Sequence, residues 1–153
     1  MPKIVARADR QYRKHIDLRQ LRRAALETLE RENAPTQAEL TIVITGDEEI
    51  RALNRQYRGV DAPTDVLSFG EEAGARSVAA PGEPVYLGDI VISHPRAEAQ
   101  AKSRQHPVAD ELLLLVVHGV LHLLGHDHAA PGKKRKMWAA QARILRQFEA
   151  RVR

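Results

Sequence analysis

Residues 107–128 read PVADELLLLVVHGVLHLLGHDH, and the architecture of the chain turns on how that stretch folds. From Leu112 to Val117 every position is apolar, so a helix formed here has no face to offer to water and must lie at the centre of the molecule. The run is far shorter than the ~20 residues of a bilayer span. Pro107 fits the first helical position, where no backbone N–H is needed, and Gly125 can close the helix through a left-handed conformation.

His118 and His122 stand four residues apart, which puts both imidazoles on one face of that helix and lets them point at one cation. A chain that turns back after Gly125 brings His128 toward the same point, giving three histidines with one coordination position open, the pattern of a catalytic rather than a structural zinc site. By count His126 is an alternative third donor. His128 is favoured, because an i, i+4, i+8 set spreads its ends about 12 Å along the axis at 1.5 Å per residue. Asp127 is either an acceptor behind a ligand imidazole or a turn residue. A lone histidine on an apolar helix is usually a satisfied core residue, but this pair, followed by glycine and further histidines, argues against that. The spacing HxxxHxxGxxH is also that of extended zincin peptidases, which place a general-base glutamate directly after the first histidine. Gly119 stands there instead, and Met137, between KKRK and WAAQ, reads as a helical core residue rather than a Met-turn.

Working outward, Lys3–Arg7 predicts a short strand, and Asp17 an N-cap for a helix to about Glu32 with Leu18, Leu21, Ala25 and Leu29 on one face. Leu40, Ile42 and Ile44 alternate in a β-branched strand that ends at Gly46. A helix follows, with Asp47, Glu48 and Glu49 in its first turn, Ile50, Leu53 and Tyr57 at helical spacing and Gly59 as its stop. Asp65–Phe69 and Tyr86–Ser93 are the remaining strands, separated by a loop over Gly70–Pro84. Pro95–Ser103 predicts a helix, and Met137, Ile144 and Phe148, with Trp138 and Leu145 beside them, a terminal helix docked on the core. The expected fold is α+β: one domain over 1–153, a small mixed sheet with several helices, and the metal site on the central buried helix with a basic groove beside it.

At 153 residues, with 43% hydrophobic and 29% charged, the chain has the composition of a globular domain. The absence of cysteine excludes disulfides, thiolate zinc sites and cysteine nucleophiles, so a metal must be held by histidine or carboxylate. The opening MPKIVARADR is too polar for a signal peptide, which leads to the expectation of a cytoplasmic protein with no membrane partner. The net charge of +4 is unevenly spread: 9 positive and 5 negative groups over 1–35, 7 and 14 over 36–130, 8 and 1 over 131–153. Basic ends of this kind suit a nucleic acid if the fold unites them, and equally suit solvated helix faces. With six aromatic residues in all, a base-stacking platform is not expected.

The stretch His118–His128 resembles the signature HGxLHLxGxDH of the YbeY family of bacterial endoribonucleases and rRNA maturation factors. Asn54, Tyr57, Arg58, Asp61 and Pro63–Phe69 look like the family's second motif, Leu87–Ile90 with Ile92 and Ser93 like its third, and Glu111, Leu112 and Met137 fit as well. At His126 the family often has an aromatic residue. The resemblance covers the chain from about residue 40 onward. It implies a zinc-dependent endoribonuclease specific for single-stranded RNA, acting in 3′-end maturation of small-subunit (16S) rRNA and in ribosome quality control. It implies one Zn2+ per chain on His118, His122 and His128, and Arg58 and His118 as the residues of catalysis. The small ribosomal subunit, and ribosomal proteins or an assembly GTPase, would be its partners. Independently, a guanidinium such as that of Arg58 can stabilise a phosphodiester under attack through two parallel hydrogen bonds. Arg58 can otherwise serve as a helix C-terminal cation. Asp65 and Asp89 could orient ligands, or be strand-end and turn residues. The alternative functions are a ribosome assembly factor with a structural metal and, more remotely, a peptidase-type metallohydrolase.

Overall fold

The computed structural model describes residues 1–70, 82–126 and 131–152, with the side chains of 149–152 excepted. Three strands with β-branched runs, β1 (Lys3–Ala8), β2 (Ala38–Thr45) and β4 (Val85–Ser93), run parallel, and β3 (Val66–Gly70) pairs antiparallel with β4 at the edge. The order is β1-β2-β4-β3. The helices are α1 (Leu18–Arg31), α2 (Asp47–Arg58), α3 (His94–Arg104), α4 (Val108–Leu123) and α5 (Pro131–Val152). This is the α+β fold with a small mixed sheet that the sequence predicts.

One face of the sheet carries Leu40, Ile42, Ile44, Leu87, Ile90 and Ile92, all buried in the main core with α1, α4 and α5. The apolar run of α4 is covered on nearly every side: Leu112, Leu113, Leu115, Val116, Val117, Val120 and Leu121 are buried, while His118 and His122 reach the surface. Met137, Ile144 and Phe148 dock α5 on the same core, so Met137 is a packing residue. The opposite face of the sheet presents Val43, Leu67, Phe69 and Val91 to Ile50 and Leu53 of α2. Among the described residues no single helix is long and apolar enough to cross a membrane.

Caps explain the helix boundaries. Asp17 accepts from the backbone N–H of Gln20 at 3.1 Å, and Ser93 caps α3 through the N–H of Arg96. Gly59 ends α2 at φ +71°, a left-handed position that suits glycine. Three expectations are corrected. Pro107 is the N-cap of α4, with extended backbone, rather than its first helical residue. Tyr57 is 61% exposed instead of facing the core with Ile50, because the helix ends one residue later at the sheet's open edge. The Lys133–Lys136 cluster does not join the basic start of α1, although α1 and α5 are neighbours. Arg23 shares a cleft with Phe148, whereas Glu32, at the far end of α1, meets His126. Lys133–Lys136 therefore lie some twelve residues of helix from Arg23, roughly 18 Å. The loop expected over 70–84 falls largely outside the described residues.

A buried carboxylate closes the turn between α3 and α4. Glu111 is fully buried and accepts from Arg104 Nη1 at 2.9 Å and from His106 Nε2 at 2.6 Å. The double variant Arg104→Ala/His106→Ala leaves that charge buried without these donors and is expected to cost about 3–5 kcal/mol, the scale for a broken buried pair. Glu111→Met, which removes the charge, is expected to cost less; urea denaturation of the two variants checks the order.

Candidate active site

α4 lies so close to β4 that a Cβ at Gly119 would stand 2.8 Å from Ile90 Cγ2. Position 119 thus faces the sheet, and no general-base side chain could act from it, which removes the structural basis for a peptidase of the zincin type. The neighbouring positions turn toward β3. His118 and His122 line a cavity of about 230 Å³ together with Arg58, at the end of α2, and Val66, Leu67 and Ser68 of β3. Residues distant in sequence, two imidazoles and a guanidinium, are brought to one opening.

His118 Nδ1–H donates to Gln141 Oε1 of α5 at 3.0 Å. A ring that donates through Nδ1 offers Nε2 to a cation, the tautomer that a zinc ligand needs. After Leu123 the helix closes as a Schellman turn: Gly125 N–H bonds the carbonyl of His122 and His126 N–H that of Leu121, both at 3.0 Å, with Gly125 at φ +101°. His126 Nε2–H donates to Glu32 Oε1 at 2.5 Å, which ties this ring to the end of α1. His128 and Asp127 lie outside the described residues. Among those described, no set of three His, Asp or Glu side chains gathers around one point, so His118 and His122 are the two that could share a cation.

The segment after Arg58 is sewn in place. Arg51 binds Asp61 through Nε at 2.8 Å and Nη2 at 3.2 Å, and its guanidinium holds the Asp61 carboxyl below the usual carboxylate range. Buried Asn54 donates to the carbonyl of Ala62 at 2.8 Å. Asp65 is a strand-start residue, accepting from Val66 N–H at 2.8 Å and from Gln100 of α3 at 3.2 Å. Asp89 is placed elsewhere, in a groove of about 710 Å³ that runs across the outer sheet face and shares Arg58 and Ser68 with the histidine cavity. Among the described residues that groove carries Arg7 and Arg58 but also Glu49 and Asp89, so these are balanced in charge, not basic as expected.

The family model described as Endoribonuclease YbeY matches residues 5–149. This chain belongs to the YbeY family. Proteins named endoribonuclease YbeY from Chloroflexus aurantiacus and Geobacillus kaustophilus are 50% and 48% identical to it, over 80% of this chain and 81% and 86% of theirs. The solution structure of TM1509 from Thermotoga maritima superposes with a TM-score of 0.64 at 25% identity, covering 99% of this chain and 91% of that one.

Seen against the YbeY motifs, the second divides its labour: Asn54, Asp61 and Asp65 brace the backbone, while Tyr57, Arg58, Ser68 and Phe69 line the two openings. In the third, Gly88 at φ +142° lets β3 approach, since a Cβ there would stand 2.1 Å from the Phe69 carbonyl oxygen. Sequence reasoning missed Gln141 and Ser68. Gln141 had no signal beyond lying four residues after Met137, on the same side of a helix.

The Tyr86 hydroxyl donates to Asp89 in the groove, and burial first, then this bond, raises its pKa above the usual 10. Burial and the charges of Asp9, Asp47 and Glu98 raise that of Tyr12 in the same direction. A folded-state value above the unfolded one stabilises fully below pH 10 and is lost as pH rises through the folded value. Tyr86→Phe is therefore expected to lose less stability than the parent as pH rises above 10, measured as the urea midpoint against pH.

Proposed function

We propose that this chain is a zinc-dependent endoribonuclease that cuts single-stranded RNA, with one Zn2+ per chain on His118, His122 and His128. The observation that carries the reading is the cavity in which Arg58 faces two imidazoles one helical turn apart. The donor chemistry fits: neutral imidazoles suit zinc, whereas magnesium and calcium prefer oxygen, and no carboxylate is among the described residues lining that cavity. Zinc, when bound, supplies Lewis acidity to a phosphoryl oxygen and to the attacking nucleophile. Arg58 donates two N–H groups to the non-bridging oxygens, whose negative charge grows as the phosphodiester is attacked. Gln141 holds the His118 ring in one orientation and one tautomer. The Gly125 turn and the Glu32–His126 pair anchor the chain that leads on to His128.

The substrate in the cell is, on this reading, the small-subunit (16S) rRNA, cut in 3′-end maturation and in ribosome quality control in the cytoplasm. The small subunit, with ribosomal proteins or an assembly GTPase, is the partner. Membership of a family whose relatives are named endoribonucleases supports the choice of RNA.

Cleavage of a single-stranded RNA from the 16S 3′ region is the test, with zinc-loaded wild type, His118→Ala and Arg58→Ala prepared identically. Arg58→Ala is expected to lower kcat/KM by roughly 10²–10³-fold while the protein stays folded, and His118→Ala or chelation to abolish cutting. Cutting that survives both substitutions and chelation sinks the reading. RNA that all three bind and none cuts points to the assembly factor with a structural metal. A second measurement addresses the zinc itself. Gln141→Leu is expected to weaken zinc binding 10–100-fold in competition with a chromogenic chelator, and Gln141→Glu, which keeps an acceptor for Nδ1–H, to restore it.

A further inference from the structure

The groove on the outer sheet face shares Arg58 and Ser68 with the histidine cavity, and its other residues have no part in the chemistry above. Its floor is a cross-strand row, Arg7, Val43 and Val91, beside Phe69 and Asp89, which pair directly between β3 and β4. Three of the chain's six aromatic residues converge here, Tyr57, Phe69 and Tyr86. Tyr57 and Phe69 form a tilted pair with centroids 4.9 Å apart, and the exposed part of Tyr57 is unspent on any core. Tyr86 is fixed by its hydroxyl, which bonds Asp89 and stands 3.0 Å from Thr41 Oγ1. Rigid, pre-positioned aromatic surface costs little entropy to use. A cleft of about 710 Å³ lies within the ~300–1,000 Å³ range of small-ligand sites.

We infer that this groove holds an unpaired nucleotide of the RNA strand next to the phosphodiester at Arg58, its base stacked on Tyr57 and Tyr86. The inference rests on the endoribonuclease reading. Continuity argues for that occupant: Arg58 and Ser68 line both openings, so a strand whose phosphate meets Arg58 has its adjoining nucleotide at the mouth of the groove. A duplex keeps its bases stacked on one another and cannot use such a surface, which gives a physical cause for single-strand preference. Among the described residues of the groove two guanidiniums and two carboxylates balance, so stacking, and not phosphate neutralisation, supplies their share of the binding.

The experiment measures binding and cleavage separately, with zinc-loaded wild type, Tyr57→Ala and Tyr57→Phe and a fluorescent single-stranded oligoribonucleotide of the 16S 3′ region. Anisotropy is expected to give a Kd for Tyr57→Ala raised roughly 5- to 100-fold, the range for one base–aromatic stack, with Tyr57→Phe near wild type. The ratio is expected to be the same at 50 and 200 mM salt, although every Kd rises with salt. Replacing one base beside the mapped cleavage site by an abasic nucleotide is expected to raise KM in wild type and to have little further effect in Tyr57→Ala. Equal affinities of wild type and Tyr57→Ala, or an abasic penalty as large in the variant as in wild type, overturn the inference while cleavage keeps the endoribonuclease reading. Loss of affinity in Tyr57→Ala by a wild type that binds RNA but never cuts it supports the groove and overturns the nuclease. An RNA that wild type does not bind overturns both.

Discussion

A helix can settle on a strand only as closely as the side chains between them allow, and at Gly119 there is no side chain. The approach of α4 to Ile90 of β4 that results sets the height of the whole helix over the sheet. At 100° per residue, position 118 is turned 100° from the sheet-facing direction of 119, and position 122, three residues on, is turned 60° to the same side. Both imidazoles therefore emerge along one flank of the buried helix, over the edge strand β3, where Arg58 also ends. Any residue larger than glycine would lift the helix and carry both rings away from the guanidinium. The spacing of the histidines makes a pair; the glycine beside them decides where that pair is delivered.

The sheet serves the two sides differently. Its inner face is fully spent on the core, with Ile42, Ile44, Ile90 and Ile92 under α1, α4 and α5. Among the described residues the outer face packs against the twelve residues of α2, which cover Val43, Val91 and Leu67 and stop at Gly59. What α2 leaves uncovered is the groove, so the opening beside the site follows from the length of one helix. The Gly59 cap and the Arg51–Asp61 and Asn54–Ala62 bonds then hold the helix end that carries Arg58. Stability is concentrated in the inner layer and access in the outer one.

Much of this was legible in order of periodicity. The alternation of Leu40, Ile42 and Ile44 and the continuous apolar run of Leu112–Val117 each allow one placement, and the structure uses it. Pairs that depend on long-range approach were not legible. Gln141 and His118 are 23 residues apart, Glu32 and His126 94 apart, and no local rule of spacing relates them. Tyr57 shows the limit of periodicity itself: it keeps helical spacing with Ile50 and Leu53, but spacing says nothing about where the opposing sheet ends. Counting aromatic residues likewise misses that three of them converge on one groove.

Charge placement gives the last constraint. α5 starts at Pro131, so Lys133 and Lys134 fall in its first turn, where the backbone dipole is already positive and a cation is unfavourable, with Arg135 and Lys136 just beyond. Lys134 recovers part of this over the Trp138 ring, 4.8 Å from its centroid. A basic first turn is thus unfavourable locally and has to be understood through what surrounds it. α5 runs back along α4, meeting His118 through Gln141 in its third turn, so the four cations stand at the end of the helix layer where α4 closes at Gly125. The acidic central segment of the chain supplies no carboxylate to the histidine cavity among its described residues. The basic start of α5 thus stands at the end of the layer from which the two histidines emerge, and no carboxylate among the described residues lines their cavity. On the proposed reading, the cations of α5, Arg58 at the end of α2 and the aromatic groove have separate tasks, because separate elements of the fold carry them.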